Sequence, residues 1–80
     1  MPVRIQVPNP PPSLSDLELV YGRPEAVLIQ QSSEYIGSSC FSTFEALEPT
    51  GDESAAVDAW ATTIGNDTPA QITAKIEALP

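Results

Sequence analysis

TGDESAAVDAWATTIGNDTPAQITAKIEALP, residues 50–80, carries the clearest local signals in the chain. Thr50 followed by Glu53 is a capping-box pattern, and Ala56, Val57, Trp60, Ala61 and Ile64 recur on one helical face until Gly65 supplies a stop. Asn66 and Asp67 then turn the chain, and Thr68 is placed to cap. Pro69 takes the first helical position, where its missing N–H costs nothing, and Gln71 completes a second capping box. Ile72, Ile76 and Leu79 line one face, although Ile72, Ala74, Ile76 and Ala78 also alternate as a strand would. The two start signals decide for helix. The spacing predicts helices near 51–64 and 69–79, joined so tightly that they must be neighbours, with apolar faces that close over the rest of the chain or over another molecule.

Upstream, Val3, Ile5 and Val7 alternate with Arg4 and Gln6, and Pro8, Pro10, Pro11 and Pro12 follow at once. Alternation is the period of a half-buried strand, and clustered prolines favour polyproline II, a stiff spacer without internal hydrogen bonds. Residues 1–13 therefore read as an extended Pro-rich arm, and residues 14–80 as one small α+β domain. From Asp16, residues Leu17, Leu19 and Tyr21 alternate with Asp16, Glu18 and Val20, then come Gly22-Arg23-Pro24 and the apolar run Ala26 to Ile29. A β-hairpin is the expectation. The competing reading is a short helix from Ser13 or Ser15 to Tyr21, stopped by Gly22. Residues 32–47 point both ways: Phe41, Phe44 and Leu47 have helical spacing, whereas Tyr35, Ile36 and the serines favour a strand and turn. Under either reading Phe41 and Phe44 belong to the core.

Eighty residues, nine of them proline, leave room for one small core that supplies about 3–5 kcal/mol, so a staple or an association is called for. One cysteine forms no internal disulfide, and without histidine the usual four-ligand zinc site cannot be assembled. Absence of histidine also removes the commonest catalytic base. Lys75 sits at the edge of the second helix's apolar face and reads as surface. Cys40 has no basic neighbour in sequence and reads as a small buried hydrophobe. Asp52, Glu53 and Asp58 do not make a calcium loop, because Gly51 precedes the acids instead of lying among them, and acids there complement the helix macrodipole. Asn66-Asp67-Thr68 matches a glycosylation sequon but is explained as turn and cap. Trp60 reads as core before it reads as a partner anchor. The four glycines are isolated, with no phosphate-cradling run. The expectation is a non-enzymatic protein with no cofactor and no metal.

Eleven carboxylates stand against Arg4, Arg23 and Lys75, a net charge of −8, which a phosphate backbone or an anionic membrane would repel. Nucleic acid and membrane are therefore not the expected partners. No window nears the roughly 20 apolar residues of a membrane span, and no apolar stretch of export type follows Arg4, so the expected location is a cytoplasm. What remains is contact surface. Val3, Arg4, Ile5, Val7, Pro10 and Pro11 are the expected partner-binding residues, the arm adding as a strand to a partner's sheet edge, with pairing inside its own domain as the alternative.

Ala55-Ala56-Val57-Asp58-Ala59-Trp60, Asn66-Asp67-Thr68-Pro69-Ala70 and Ile72-Thr73-Ala74-Lys75-Ile76-Glu77-Ala78-Leu79 together resemble the alanine-rich helical segments of small accessory virion proteins of tailed bacteriophages, of decoration, head-fibre or connector type. The resemblance rests on composition and rhythm over about a third of the chain and transfers no functional residue. It implies a structural role on a large symmetric assembly, with a virion protein as partner and a virion or a host cytoplasm as location; association with a second copy of the chain, a homo-oligomer, is the other staple open to so small a core. The alternative from a different class is an acidic inhibitor that mimics nucleic acid in a basic groove.

Overall fold

In the computed structural model, which describes residues 3–24 and 27–80, the chain runs β1 (Val3–Val7), α1 (Leu14–Tyr21), β2 (Ile29–Ile36), β3 (Ser39–Ala46), α2 (Gly51–Gly65) and α3 (Pro69–Glu77). The fold is α+β, with a three-stranded antiparallel sheet in the order β1-β3-β2. Residues 1 and 2 of the expected arm, and Ala26 of the apolar run, lie outside the described residues.

Alternation along β3 sets the layers. Cys40, Ser42 and Phe44 are buried on the helix side, while Phe41, Thr43 and Glu45 face the other way. Antiparallel pairing keeps partners on one face. Val3, Ile5 and Val7 of β1 stand beside Phe44, Ser42 and Cys40, and Ile29, Gln31, Ser33 and Tyr35 of β2 stand beside Ala46, Phe44, Ser42 and Cys40. Helix α2 lies over β1 and β3 with Val57, Trp60, Ala61 and Ile64 buried, and α3 closes the core with Ile72. Phe44 meets Trp60 edge to face at 5.3 Å. Such a pair adds about 0.5–1.5 kcal/mol beyond its area.

The strand-like alternation from Asp16 to Ile29 does not make a hairpin; the competing helix forms instead. Ser13 Oγ accepts the Asp16 N–H at 3.2 Å, Gly22 at φ 83° ends the helix, and Leu14, Leu17 and Tyr21 fall on one helical stripe packed into the core. Leu19, which a strand would have buried beside Leu17, is 70% exposed. The hairpin lies later, in β2 and β3, around Gly37-Ser38. Gly37 sits at φ 63° and Ser38 is outside the left-handed region, the pattern of a two-residue type II′ turn. Phe41 is corrected as well: it lies on the face away from the helices, half-buried, with the Arg4 guanidinium 4.6 Å over its ring. Phe44 alone of the two phenylalanines enters the core.

Both C-terminal capping boxes are complete. Thr50 N–H reaches Glu53 Oε1 at 3.0 Å and Thr68 N–H reaches Gln71 Oε1 at 2.8 Å, each returned by the hydroxyl. Ala56 is exposed, so the buried stripe of α2 is narrower than its sequence pattern. The helix faces close over the sheet of the same chain.

The arm is extended as read, but it is not free. Val3–Val7 pairs with β3, with Ile5 and Val7 buried, and residues 9–10 form a bend with a cis Asn9–Pro10 peptide where a straight polyproline II spacer was expected. Deleting residues 1–12 should therefore abolish the cooperative urea transition, because losing two buried aliphatic side chains alone costs about as much as the whole domain's ~3–5 kcal/mol. A folded truncated chain by circular dichroism would contradict this.

Gly65 closes α2 against β1. A Cβ there would lie 2.9 Å from Ile5 Cγ2, inside any real contact. Gly65→Ala should destabilise by about 1–3 kcal/mol through overpacking, although alanine is by propensity the better helix residue by roughly 1 kcal/mol. Equilibrium denaturation of the single variant gives the sign directly.

Candidate functional site

With β3 in the middle, β1 and β2 are the two edges of the sheet. Helix α2 covers β1, and β1's inward side chains are part of the core. Strand β2 is the longer edge, eight residues against five in β1, and α2 packs on β1 and β3 instead. Its register is set from inside: Ser42, the one buried polar residue among those described, takes a hydrogen bond from Gln31 Nε2 at 3.2 Å and lies 2.9 Å from Ser33 Oγ. Gln31 Nε2 also reaches the Pro12 carbonyl at 3.3 Å. An unpaired buried hydroxyl costs about 1–3 kcal/mol, so a slip of β2 along β3 is disfavoured.

Leu47 N–H donates to the Leu28 carbonyl at 2.8 Å, which makes Leu28 and Leu47 a hydrogen-bonded pair. Bonded pairs alternate along an antiparallel ladder. Gln30, Ser32, Glu34 and Ile36 thus spend their peptide groups on β3, while Ile29, Gln31, Ser33 and Tyr35 turn theirs outward. Around this row stand Leu28 (65% exposed), Tyr35 (56%), Ile36 (51%) and Leu47 (47%). Edge strands are ordinarily blunted by proline, lysine or a bulge. Strand β2, Ile29-Gln-Gln-Ser-Ser-Glu-Tyr-Ile36, carries no proline and no lysine, and its pairing with β3 is continuous. Its single charge, Glu34, is engaged by Arg4 across the outer face at 3.2 Å.

The six residues expected to bind a partner do not form one surface. Ile5 and Val7 point into the core and Val3 packs against it, Arg4 lies on the opposite face, and Pro10 and Pro11 line a cleft of about 370 Å³ with Pro12, Asp16, Thr73 and Ile76. In this fold the arm's apolar row fills the chain's own core and is not displayed to a partner. Sequence pattern marks Tyr35 and Ile36 as strand and turn formers but carries no sign that they and Leu28 are exposed together. The strand's own signal was Gly37-Ser38, a two-residue hairpin turn between runs of strand-forming residues.

A second cluster ties the helices together. Tyr21 O–H donates to Asp67 Oδ2 at 2.6 Å, Lys75 Nζ engages the same oxygen, and the ammonium sits 5.1 Å over the Tyr21 ring. Lys75 is thus paired rather than simply solvated. Arg23 pairs with Glu18 at 3.3 Å, so each of the three basic side chains is matched by a carboxylate. Burial, then the Asp67 hydrogen bond, then the Asp67 charge push the Tyr21 phenol well above its ordinary value near 10. Hydrogen bonds from Lys75 and Tyr21 hold Asp67 below the usual carboxylate range. A neutral phenol locked onto a charged carboxylate is a tether between α1 and the α2–α3 turn. Cys40 is buried, Trp60 is core with its indole N–H on the Gly22 carbonyl at 2.8 Å, and no three potential metal ligands gather among the described residues. No helix among them is long and apolar enough to cross a membrane.

No family model, curated protein or solved structure matches the chain.

Tyr21 supplies the pH test. A raised folded value means that its contribution to stability is complete below pH 10 and is lost as pH climbs through the folded value; Asp67, depressed, contributes above its ordinary 3.8 and loses that contribution as pH falls through its folded value. In a Tyr35→Phe background, tyrosinate absorbance of the folded protein should rise only well above pH 10, and Asp67→Asn should bring the transition back toward 10. An ordinary titration before that second change would refute the tether.

Proposed function

We propose that this chain is a non-enzymatic structural and interaction protein, an accessory component of decoration, cement or connector type in a bacteriophage virion or a similar large assembly, and that it is held there by strand addition at β2. The observation that carries the reading is this edge: four outward-facing residues whose peptide groups have no backbone partner among the described residues, flanked by exposed Leu28, Tyr35, Ile36 and Leu47. Main-chain hydrogen bonds give such docking its affinity, and side chains alternating above and below the sheet give it selectivity. Contacts of this size are individually weak, and an assembly multiplies them through symmetry. A net charge of −8 keeps the free protein dispersed before it docks. The pairing of Arg4, Arg23 and Lys75 with carboxylates favours a protein partner over a phosphate-bearing one.

Isolation of the native complex tests this reading. The chain should sediment with a large particle and stay bound across a range of salt, since an apolar strand contact responds weakly to ionic strength. Tyr35→Lys with Ile36→Lys should release it at least tenfold more readily while leaving the circular dichroism spectrum unchanged, both side chains being exposed; roughly 1.4 kcal/mol corresponds to that factor. A chain recovered instead on a basic-groove protein, with binding that collapses as salt is added, would identify it as a nucleic-acid mimic.

A further inference from the structure

We infer that the strand which completes the β2 edge is β2 of a second copy of this chain, paired antiparallel with Ser32 on the two-fold axis. This rests on the reading of β2 as the docking edge and names its occupant. Two identical edges that join antiparallel into one sheet are related by a two-fold axis perpendicular to it, which leaves both helix layers on the same side. Partners in such a sheet must face the same side. Helix-side residues of β2 therefore meet helix-side residues, and the outer row meets the outer row.

Only three positions near the middle of β2 can lie on the axis. With Ser33 there, Tyr35 would face the partner's Gln31 and Ile36 would face the partner's Gln30, leaving both apolar side chains against amides. With Gln31 there, Leu28 would meet the charge of the partner's Glu34. With Ser32 there, every apolar residue from Leu28 to Ile36 finds an apolar mate. Leu28 meets the partner's Ile36 on the outer face and Ile29 meets the partner's Tyr35 on the helix side. Glu34 faces the partner's Gln30, a neutral amide able to donate to it, and Gln31 faces the partner's Ser33. Ile29, Gln31, Ser33 and Tyr35, whose peptide groups point outward, are the residues that this register hydrogen-bonds. Beyond Gln31, whose amide reaches the Pro12 carbonyl, the helix side is open to a neighbour, because α2 lies over β1 and β3 and leaves Ser33 and Tyr35 exposed. The product is a six-stranded sheet in the order β1-β3-β2-β2-β3-β1.

Charge and size fix the strength. Each copy carries −8, so the approach is opposed by long-range repulsion that salt screens. The paired segment is one strand a side, against roughly 20–30 residues a side in a standard interface. The dimer is weak in dilute solution, and it tightens as salt is added, opposite to the response of a charge mimic.

A cysteine on the axis reads the register. Facing residues in a non-hydrogen-bonded antiparallel pair have Cα atoms about 4.5 Å apart, within disulfide reach. With oxidised glutathione added as the two-electron acceptor, Ser32→Cys should form a disulfide-linked dimer at least about tenfold faster than Gln30→Cys, because the register brings position 32 onto its own copy at high effective concentration. The two Gln30 positions lie about 13 Å apart. Native Cys40 is buried and does not compete. Denaturant should erase the difference between the variants. Sedimentation of the wild-type chain at high concentration should show monomer and dimer, shifted toward dimer by salt, and Ser32→Lys should leave monomer only. Equal cross-linking of the two cysteine variants, or a wild-type chain monomeric at every concentration and salt, overturns the inference. In the second case the docking edge is judged separately: a monomer that Tyr35→Lys with Ile36→Lys releases from its particle has a foreign strand at β2, and one that stays bound does not use the edge.

Discussion

Phe44 against Trp60 is the contact through which the layers of this protein close. Phe44 stands at the centre of the sheet, between Val3 of β1 and Gln31 of β2, and the indole meets its ring edge to face at 5.3 Å. The far side of that indole donates to the Gly22 carbonyl, so one side chain holds the sheet, the long helix and the end of α1 in place. A small domain has few ways to secure three elements at once. Placing the sole tryptophan there uses both its area and its polar handle.

Around that contact the division between inside and edge follows from Ser42. A hydroxyl in the middle of an otherwise apolar strand face is tolerated only if it is hydrogen-bonded, and both of its partners, Gln31 and Ser33, come from β2. β2 is thus held by polar contacts and by its ladder, whereas β1 is held by Ile5 and Val7 in the core. The consequence is an asymmetry between the two edges. Removing β1 empties the core, while β2 has a helix-side row of Gln31, Ser33 and Tyr35 that the helix layer leaves partly or fully exposed.

The sequence was most legible where one face of an element had to be buried and its ends were capped. Thr50 with Glu53 and Thr68 with Gln71 mark helix starts that need no tertiary information, and Val57, Trp60, Ala61 and Ile64 keep the helical period. Reading α1 as a strand failed for a definable reason. Over eight residues Leu17, Leu19 and Tyr21 fit a period of two as well as Leu14, Leu17 and Tyr21 fit a helix, and the Ser13 cap was the deciding feature. The hairpin was obscured for the opposite reason. β2 has a serine- and glutamine-rich middle because its pairing to Ser42 is polar and its outer edge is uncovered, so it lacks the apolar alternation by which strands are recognised. The same shortage of buried side chains that makes β2 hard to read makes it the available surface. For the arm, alternation identified a strand correctly but is silent on its pairing partner, since Val3, Ile5 and Val7 would look the same on a neighbour's sheet.

An edge with no proline, lysine or bulge is a hazard that small proteins normally blunt locally. Here the restraint is global instead. The three cations are each held by a carboxylate, so the excess negative charge is spread over the molecule while β2 itself carries one charge, and Arg4 partly neutralises that one. Diffuse repulsion keeps free copies apart at a distance without placing a charge in the ladder, and its effect fades within a screening length of roughly 8–10 Å at moderate salt. At short range the uncharged middle of the strand presents nothing further to oppose pairing. A local gatekeeper such as an edge lysine would oppose pairing at contact. Charge spread over the rest of the molecule opposes it only at a distance and leaves Glu34, paired with Arg4, as the one charge on the strand itself.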